Sequence, residues 1–221
     1  MVITTEKISK KYLRGKKEFL AAAPTDLHFG HGKLTVILGK SGSGKTTLLN
    51  MLAGLLEPSE GNIIYDDTDI YSLSDEELSR FRNKNIGYVP QGMSAIKSLT
   101  VLENILLPTT IYSDDDKEAE TLRILEDFGL LELKDAFPDE LSGGELRRMA
   151  IARALVGSPS AIFADEPTND LDNENAQYVF KLLKDISRNG TIVIVVTHDH
   201  TGLGYADTVY EMNCGSLTKK N

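Results

Sequence analysis

The sequence predicts an α/β fold with a mostly parallel core sheet covered by helices. Three apolar runs carry this prediction, namely Leu34–Leu38, Ala161–Asp165 and residues 191–198. Each run is continuous rather than alternating in polarity, which is typical of strands buried on both faces of a parallel sheet. Sequence with helical spacing follows the first run and separates the second from the third, and this order favours parallel strands joined by helices.

The composition is that of an ordinary globular protein. The chain has 221 residues, of which 41% are hydrophobic and 26% charged, and it is long enough to bury a substantial core. Its 33 acidic and 24 basic residues give a net charge of -9, which argues against broad contact with nucleic acid or anionic lipid. No apolar run approaches the roughly 20 residues of a membrane-spanning helix, and no signal peptide is recognised, so we expect a soluble chain. A single cysteine, Cys214, excludes an internal disulfide and fits a reducing cytoplasm.

The first apolar run opens a strand, loop and helix unit. A glycine- and serine-rich loop follows Leu34–Leu38, and a helix is predicted from about Thr46 because four leucines then fall at helical spacing: Leu48, Leu49, Leu52 and Leu55. The loop reads GKSGSGKT and matches the pattern G-x-x-x-x-G-K-[ST] in the required context between a strand and a helix. Such a loop turns its backbone N–H groups toward phosphate oxygens, and the helix dipole strengthens their field.

This loop predicts a nucleotide site with Mg²⁺. Lys45 would reach the β- and γ-phosphates, and the hydroxyl of Thr46 would coordinate the metal. A flexible loop that happens to contain glycine, serine and lysine is the alternative, and the match of both motif and context disfavours it. The nucleotide-binding residues expected in this segment are Gly39, Lys40, Ser41, Gly42, Ser43, Gly44, Lys45, Thr46 and Thr47.

The second and third apolar runs end in groups suited to hydrolysis. Asp165 closes the second run and can hold Mg²⁺, while Glu166 beside it can polarise a water for attack on the γ-phosphorus. Adjacent acids at a strand end can also be plain surface charges, but ligands of open α/β folds bind at this edge of the sheet. His198 follows the third run and could reach the same phosphate. A histidine in that place, taken alone, would more often be structural, but beside the phosphate loop and the acidic pair we favour a functional role.

The region from about residue 72 to residue 139 predicts a helical subdomain inserted into the α/β core. Two stretches have amphipathic helical spacing, and Ser74 with Glu77 three residues later forms a capping-box pattern at the start of the first. The acidic run Asp114–Asp116 could be taken for a cation site. Consecutive acids at a helix start more often complement the helix dipole, and we favour that interpretation.

The stretch LSGGELRRMAIARAL, residues 141–155, begins a further helix with a serine and two glycines. Backbone N–H groups at a helix start that no side chain covers can hold an anion. The residues that would do so are Ser142, Gly143 and Gly144. The sequence around them does not by itself say which anion this is.

Together these motifs make the chain resemble the nucleotide-binding subunits of ABC transporters. The segment LSGGE is similar to the family's LSGGQ signature, with Glu145 in place of glutamine, and Gln91 in YVPQ resembles its Q-loop glutamine. The segment NDLD resembles the D-loop and contributes Asp170 and Asp172, while THD carries the switch histidine, His198. Tyr12 stands where the family places an aromatic residue that stacks on adenine, although in isolation it could be a core or surface tyrosine. The motifs follow the family order over nearly the whole chain.

The resemblance implies a P-loop NTPase fold with a mostly parallel core sheet, an N-terminal antiparallel β subdomain and an inserted α-helical subdomain. Residues 1–221 would form one ATPase domain, with the helical subdomain at about 72–139 continuing into a signature helix at 141–157. It implies a catalytic role for Glu166, His198 and Lys45, and a metal site made by Thr46, Gln91 and Asp165. It also implies a homodimer around two ATP molecules, in which Ser142, Gly143, Gly144 and Glu145 bind the nucleotide held by the other subunit.

Further expectations concern partners. The branch that the sequence resembles serves lipoprotein release, macrolide and antimicrobial-peptide export, and cell division. Its members pair with a membrane permease that has a large extracytoplasmic domain. The chain would then lie in the cytoplasm at the inner face of the membrane, and its permease contact would surround Gln91 and residues 92–100. Met93, Ile96 and Leu99 could be core residues instead.

Three alternatives stay open at this stage. One is an ABC ATPase that acts on DNA or the ribosome, although the chain has no long coiled-coil insertion and no second ATPase domain, and its acidity disfavours nucleic acid. Another is an ATPase that regulates a membrane complex, as in cell division. The third is a P-loop kinase for a small molecule, which gives no use for LSGGE or His198. Glu145 adds a negative charge near the partner's nucleotide and puts the ATPase rate in doubt.

Overall fold

The computed structural model describes residues 1–15, 17–92, 94–112 and 117–220, which form two β-sheets and six α-helices. The acidic run Asp114–Asp116 and Met93, both considered above, lie outside these described residues. The strands are β1 (Val2–Arg14), β2 (Lys17–Gly30), β3 (Leu34–Leu38), β4 (Glu60–Tyr65), β5 (Thr68–Asp69), β6 (Ile86–Val89), β7 (Ala161–Asp165), β8 (Ile192–Thr197), β9 (Thr208–Asn213) and β10 (Ser216–Lys219). The helices are α1 (Lys45–Leu52), α2 (Asp75–Asn85), α3 (Val101–Leu106), α4 (Glu118–Asp127), α5 (Gly143–Leu155) and α6 (Asn173–Arg188).

The core sheet has the strand order β10-β9-β3-β8-β7-β6. All neighbours from β9 to β6 pair in parallel, and only β10, at one edge of the described sheet, pairs antiparallel with its neighbour. Every residue of β7 and β8 is buried, as their continuous apolar runs predict. The predicted α/β fold with a mostly parallel sheet is therefore confirmed.

A second sheet, with the order β2-β1-β4-β5, packs against one side of this core. It is antiparallel throughout, as expected for the amino-terminal β structure. The long strands β1 and β2 form a hairpin whose register places Tyr12 directly opposite Phe19. This pairing brings two aromatic side chains to one end of the sheet.

The core sheet separates two apolar clusters, because successive side chains of a strand point to opposite faces. Val36, Val193 and Val195 face the cluster that α3, α4, α5 and α6 cover. Ile37 and Ile194 face the cluster that contains α1 and the antiparallel sheet. Because both faces of the sheet are buried, each strand is held in one register. The loops at the carboxyl ends of the strands therefore have fixed positions.

The helical segments start and stop where local side chains dictate. The Ser74 hydroxyl accepts a hydrogen bond from the Glu77 amide, and the Glu77 carboxylate accepts one from the Ser74 amide at 2.9 Å, so the predicted capping box at α2 is present. The prediction that Leu55 continues α1 is wrong. The helix ends at Leu52 because Gly54 turns the chain with a φ of 67°, and Leu55 is 51% exposed. Across the described ranges, no helix has the length and apolar character needed to cross a membrane.

Candidate functional site

The glycine-rich loop lies at the carboxyl end of β3 and turns directly into α1. Its last glycine, Gly44, is the N-cap and has a φ of 107°, in a region that side-chain-bearing residues rarely adopt. A Cβ atom at Gly44 would lie 2.0 Å from the backbone oxygen of Ala21, and one at Gly39 would lie 2.5 Å from that of Met212. Both glycines are therefore required by close packing of β2 and β9 around the loop.

The loop forms one wall of a cavity of about 480 Å³. The opposite walls come from four separate parts of the chain, the β1–β2 hairpin, the segment after β6, the end of β7 and the turn between β9 and β10. The residues that line the cavity are Tyr12, Phe19, Leu20, Ala21, Ser41, Gly42, Ser43, Gly44, Lys45, Thr46, Thr47, Gln91, Glu166, Cys214 and Gly215. Most of the loop residues predicted to bind nucleotide, together with Tyr12 and Gln91, thus face one common space.

Lys45 is held in this space by oxygen atoms. Lys45 is 5% exposed, and its Nζ donates to the backbone oxygens of Gly39 at 2.8 Å and Lys40 at 3.2 Å. The same Nζ lies 3.3 Å from Oε1 of Glu166. A buried ammonium group needs such partners, and phosphate oxygens would satisfy it in the same way.

Glu166 is fixed by the end of β8. Its Oε2 accepts hydrogen bonds from the Thr197 hydroxyl at 2.9 Å and from the backbone N–H of His198 at 3.1 Å. Nδ1 of the exposed His198 ring lies 2.9 Å from the same oxygen. Glu166 itself has a φ of 46°, a strained value for a residue with a side chain. These contacts aim a buried carboxylate at the cavity and bring the predicted pair Glu166 and His198 together.

Asp165 lies one residue earlier, at the end of β7, and is 2% exposed. Burial raises the pKa of its carboxyl group, while a hydrogen bond with the Thr46 side chain and the charge of Lys45 act to lower it. Among the described residues, Oδ1 of Asp165 and Oγ of Ser43 are buried and have no hydrogen-bond partner. Both oxygens could be satisfied by a metal ion or a phosphate group bound at this loop.

The donor set fits Mg²⁺. Thr46 and Asp165 supply hard oxygen atoms, and Gln91 lines the same cavity. No group of three or more His, Cys, Asp and Glu side chains suited to a metal ion occurs in the described residues. A site with so few protein ligands suits Mg²⁺, which keeps waters and shares its coordination with substrate phosphates. Asp165, Thr46 and Gln91 are the residues that would hold it.

The amino terminus of α5 forms a second cluster, outside this cavity. Ser142 is its N-cap, and the Glu145 carboxylate accepts hydrogen bonds from the Ser142 amide and hydroxyl, each at 2.7 Å. These bonds lower the pKa of Glu145. Gly144 packs on α6, since a Cβ atom there would lie 2.6 Å from Oδ1 of Asn175. None of the four residues Ser142, Gly143, Gly144 and Glu145 lines the cavity at the nucleotide loop of the same chain.

The predicted D-loop lies between the end of β7 and the start of α6. Asp170 has a φ of 64° and accepts a hydrogen bond from the Asn169 amide group at 2.7 Å. Asp172 is the N-cap of α6 and holds Asn175 through bonds to its backbone N–H and its side-chain amide. Asp172 thus positions the residue against which Gly144 packs.

Sequence reasoning missed five residues of the cavity, which are Phe19, Leu20, Ala21, Cys214 and Gly215. Phe19 stacks on Tyr12 with ring centroids 5.7 Å apart, and Cys214 lies in the turn between β9 and β10 that donates the Gly215 N–H to the Ser43 backbone oxygen. The signal for Phe19 lies in the register of the β1–β2 hairpin, which the sequence alone did not fix. Nothing in the sequence around Cys214 connects it to the loop.

An apolar groove of about 310 Å³ lies on another face of the chain. Its most exposed large side chains are Leu55, Ile111 and Tyr112, with exposed fractions of 51%, 62% and 41%. Arg153 lines its floor. Of the residues that were predicted to meet a permease or to be core, Ile96 is exposed and Leu99 is half-buried, and neither lines this apolar groove.

Comparison with known proteins gives consistent similarities. The sequence pattern of the family described as ABC transporter matches residues 23–169. The chain is 38% identical over 213 residues to the lipoprotein-releasing system ATP-binding protein LolD of Buchnera aphidicola subsp. Schizaphis graminum, and the alignment covers 95% of this chain and 93% of that protein.

Two solved structures are similar over almost their full length. The dimeric structure of MJ0796, a bacterial ABC transporter cassette, matches with a TM-score of 0.88 at 32% identity and covers 98% of both chains. A dimeric post-hydrolysis state of the ATP-binding cassette MJ0796 bound to ADP and Pi matches with a TM-score of 0.85 at 31% identity, again over 98% of both chains.

Proposed function

The chain belongs to the ABC transporter family as an ATP-binding and ATP-hydrolysing subunit, and from this premise we propose that two copies close around two ATP molecules to power a separate membrane permease. We infer that the cargo is lipoprotein. The similarity to LolD over 95% of the chain is the observation that carries the choice of cargo. The chain would be attached to the membrane through that permease and would contact no nucleic acid.

The cavity residues divide the chemical work among them. The backbone N–H groups of the loop and the Lys45 ammonium bind the β- and γ-phosphates, and Lys45 exchanges the backbone oxygens of Gly39 and Lys40 for phosphate oxygens. Tyr12 and Phe19 present an aromatic surface to the base. When bound by Thr46, Asp165 and Gln91, Mg²⁺ supplies positive charge that offsets the charge developing on the phosphate oxygens.

Glu166 acts as the general base in this proposal. Its Oε1 accepts a proton from the attacking water, while Thr197 and the His198 N–H hold Oε2 and so fix the direction of the carboxylate. His198, which is exposed beside Glu166, contacts the γ-phosphate. The buried Glu166 is already oriented before ATP binds. Such a group stabilises the transition state because it needs no rearrangement during the reaction.

The second nucleotide contact comes from another subunit. Ser142, Gly143, Gly144 and Glu145 do not line the cavity of their own chain, so we infer that they bind the γ-phosphate held by the partner copy. The dimeric state of the similar MJ0796 cassette supports this arrangement. Because ATP would contact both copies only in the closed dimer, it favours that state, and hydrolysis releases it.

The apolar groove is the proposed docking site of the permease. Exposed Leu55, Ile111 and Tyr112 line the groove together, and an apolar groove of this kind is what an amphipathic helix of a partner binds. We also propose that residues 1–221 form one ATPase domain with a helical unit at about 72–139, although β6 within that range belongs to the core sheet. Residues of this unit, among them Asn83 and Pro108, supply one wall of the groove. Movement of that unit would then change the shape of the groove and so displace the bound permease segment.

The test of the cargo uses proteoliposomes that contain the chain co-purified with its membrane partner and a lipid-anchored protein. ATP should release the lipid-anchored protein to a soluble acceptor, and the Glu166→Gln variant should not. Failure of ATP to release the lipid-anchored protein, together with retention of DNA or ribosomes by the chain, would overturn the proposal.

Docking at the apolar groove has its own test. The double variant Leu55→Asp and Ile111→Asp should lose the membrane partner because two charges enter an apolar contact, while ATP hydrolysis by the isolated chain stays within about twofold of the parent rate. Leu203→Asp is the matched control, since Leu203 is 38% exposed and lies outside the groove. Equal partner recovery from the double variant would contradict the assignment.

A further inference from the structure

The loop that carries Gln91 connects β6 to α3, and its described part is tied to helices rather than to the core sheet. NH1 of Arg147 donates to the Pro90 backbone oxygen at 3.4 Å. NH1 of Arg153 donates to the Ser94 backbone oxygen at 2.8 Å, and NH2 bonds the Ser94 hydroxyl. Both arginines belong to α5, so one helix holds this loop on both sides of Gln91.

A third attachment comes from α3. The fully buried Asn104 accepts a hydrogen bond from the Ile96 N–H at 2.8 Å. Its side-chain amide donates to the backbone oxygens of Ile96 at 3.0 Å, Leu99 at 2.9 Å and Thr100 at 2.9 Å. The segment from residue 94 to residue 100 is therefore fixed to the helical part of the chain, while Gln91 lines the cavity of the core.

Arg147 also has a charged neighbour, Asp170. It is 6% exposed, and with Asp170, Gly92 and Ser94 it lines a small cavity of about 90 Å³ between α5, the Gln91 loop and the D-loop. Burial lowers the pKa of Arg147, and the negative charge of Asp170 acts in the opposite direction. A guanidinium group remains protonated in either case, so the buried charge needs the oxygens of both loops.

We propose that Arg147 and Arg153 form an arginine clamp by which α5 positions the Gln91 loop, so that Gln91 moves together with the Ser142 end of the same helix. The inference rests on the proposed function, because it links the Gln91 of one nucleotide site to the α5 terminus that serves the other. Arg153 also lines the apolar groove, so a docked partner contacts the clamp directly. Both arginines are positioning residues, since neither lines the nucleotide cavity.

The first measurement is hydrogen exchange on the full chain without nucleotide. Arg147→Met and Arg153→Met should each speed exchange of the backbone N–H groups at residues 94–96 by about tenfold. In the parent, opening of the loop must break a charge-assisted hydrogen bond from the arginine, and in each variant that bond is absent. Exchange within α1 should not change. Lysine at either position keeps the charge and one donor, so Arg153→Lys should restore part of the protection.

The second measurement is the Mg²⁺ dependence of ATP hydrolysis. Loss of the clamp should raise the Mg²⁺ concentration for half-maximal rate by about tenfold, as removal of supporting residues does at other metal sites. ATP affinity measured without Mg²⁺ should stay within about twofold of the parent value, because the clamp does not touch the loop at residues 39–46. A purely structural role would not separate these two quantities.

Arg148→Met is the matched control. Arg148 lies on the same helix, but its guanidinium stacks over the Tyr178 ring at 5.5 Å and not on the Gln91 loop. Its Mg²⁺ dependence should match that of the parent. If an arginine variant fails to fold, Ser94→Ala removes one acceptor from the loop without a change in α5 and should shift both readouts in the same direction.

Unchanged loop exchange and unchanged Mg²⁺ dependence in folded clamp variants would overturn the inference, even with a fully active parent. Failure of the parent itself to bind or hydrolyse ATP would instead count against the proposed function. A uniform rise in exchange across α1, α5 and the loop would show general destabilisation and would also overturn the clamp.

Discussion

Two helix starts within the described residues carry glycine, and they differ in how their N-termini are capped. At α1, Gly44 is the N-cap, and among the described residues no side chain caps the helix and no acid occupies its first turn. At α5, Ser142 is the N-cap and the Glu145 carboxylate bonds back to it. The first helix start is open to an external anion, whereas the second already holds an internal one. An open terminus suits phosphate binding, whereas a phosphate that approaches the second terminus must share it with the Glu145 carboxylate.

The largest effect should come from the lysine at the open terminus. Lys45→Ala should lower the rate of ATP hydrolysis by about 100-fold or more, because it removes the buried positive charge that faces the γ-phosphate. Hydrolysis is measured at saturating ATP and Mg²⁺. Lys33→Ala, which changes an exposed lysine just before β3, is the control and should keep the parent rate. An active Lys45→Ala variant would contradict the assignment of the open terminus.

Glycine substitutions should separate the two helix starts next. Gly44→Ala should lower the free energy of unfolding by about 3 kcal/mol, because it combines a φ of 107° with a backbone clash at 2.0 Å. Gly144→Ala should lower it by about 1 kcal/mol, since its close neighbour is the side chain of Asn175, which can move. Urea unfolding measures both values.

A rescue variant sharpens this comparison. Gly144→Ala should cost almost nothing when it is added to Asn175→Ala, because that variant lacks the atom that the new Cβ meets. The reference is Asn175→Ala alone, which loses the side-chain bond to Asp172. No single side-chain change should rescue Gly44→Ala, whose nearest contact is a backbone oxygen. Equal costs at the two glycines would show that the two helix starts do not differ in the way described.

A smaller effect is expected from the carboxylate at the covered terminus. Glu145→Gln keeps a side-chain amide oxygen as acceptor for the Ser142 N–H and removes one negative charge near the partner's nucleotide. We expect the rate of ATP hydrolysis to rise about fivefold, which corresponds to roughly 1 kcal/mol of relieved repulsion. A rate equal to that of the parent would show that Glu145 faces solvent in the closed dimer.

The pH dependence of stability should show the smallest difference. Hydrogen bonds from Ser142 lower the pKa of Glu145, so its contribution to stability is present above the ordinary pKa of about 4.3 and is lost as pH falls through the lower folded value. Because the carboxylate is accessible to solvent, this contribution should be about 0.5 kcal/mol or less. Thermal unfolding of the parent and of Glu145→Gln at pH 7 and at pH 3 measures it. A stability gap that is larger at pH 3 than at pH 7 would contradict this sign.

The sequence predicted best those features that are formed by residues close together in the chain. The spacing in residues 39–46 predicts the open helix start because strand, loop and helix are contiguous. The Ser74 and Glu77 capping box is likewise local. The position of Leu55 was mispredicted because helical spacing alone does not register the left-handed turn at Gly54.

Contacts between distant segments could not be predicted in this way. Phe19 meets Tyr12 only through the register of a hairpin, and Cys214 reaches the loop only through a turn that packs on Ser43. The attachment of Arg153 to Ser94 joins residues 59 positions apart. Such pairs depend on how α5 and the sheets pack, which periodicity and spacing do not determine.

The central claim is that the covered terminus of α5 completes the nucleotide site of a second copy. The most direct measurement is the molar mass of Glu166→Gln by light scattering with ATP and Mg²⁺, compared with the same variant carrying Ser142→Arg. The account predicts an ATP-dependent dimer for Glu166→Gln, and a monomer that still binds ATP when Ser142→Arg is added. An ATP-dependent dimer that forms equally well with Ser142→Arg, or a monomer at every ATP concentration without it, would contradict the account.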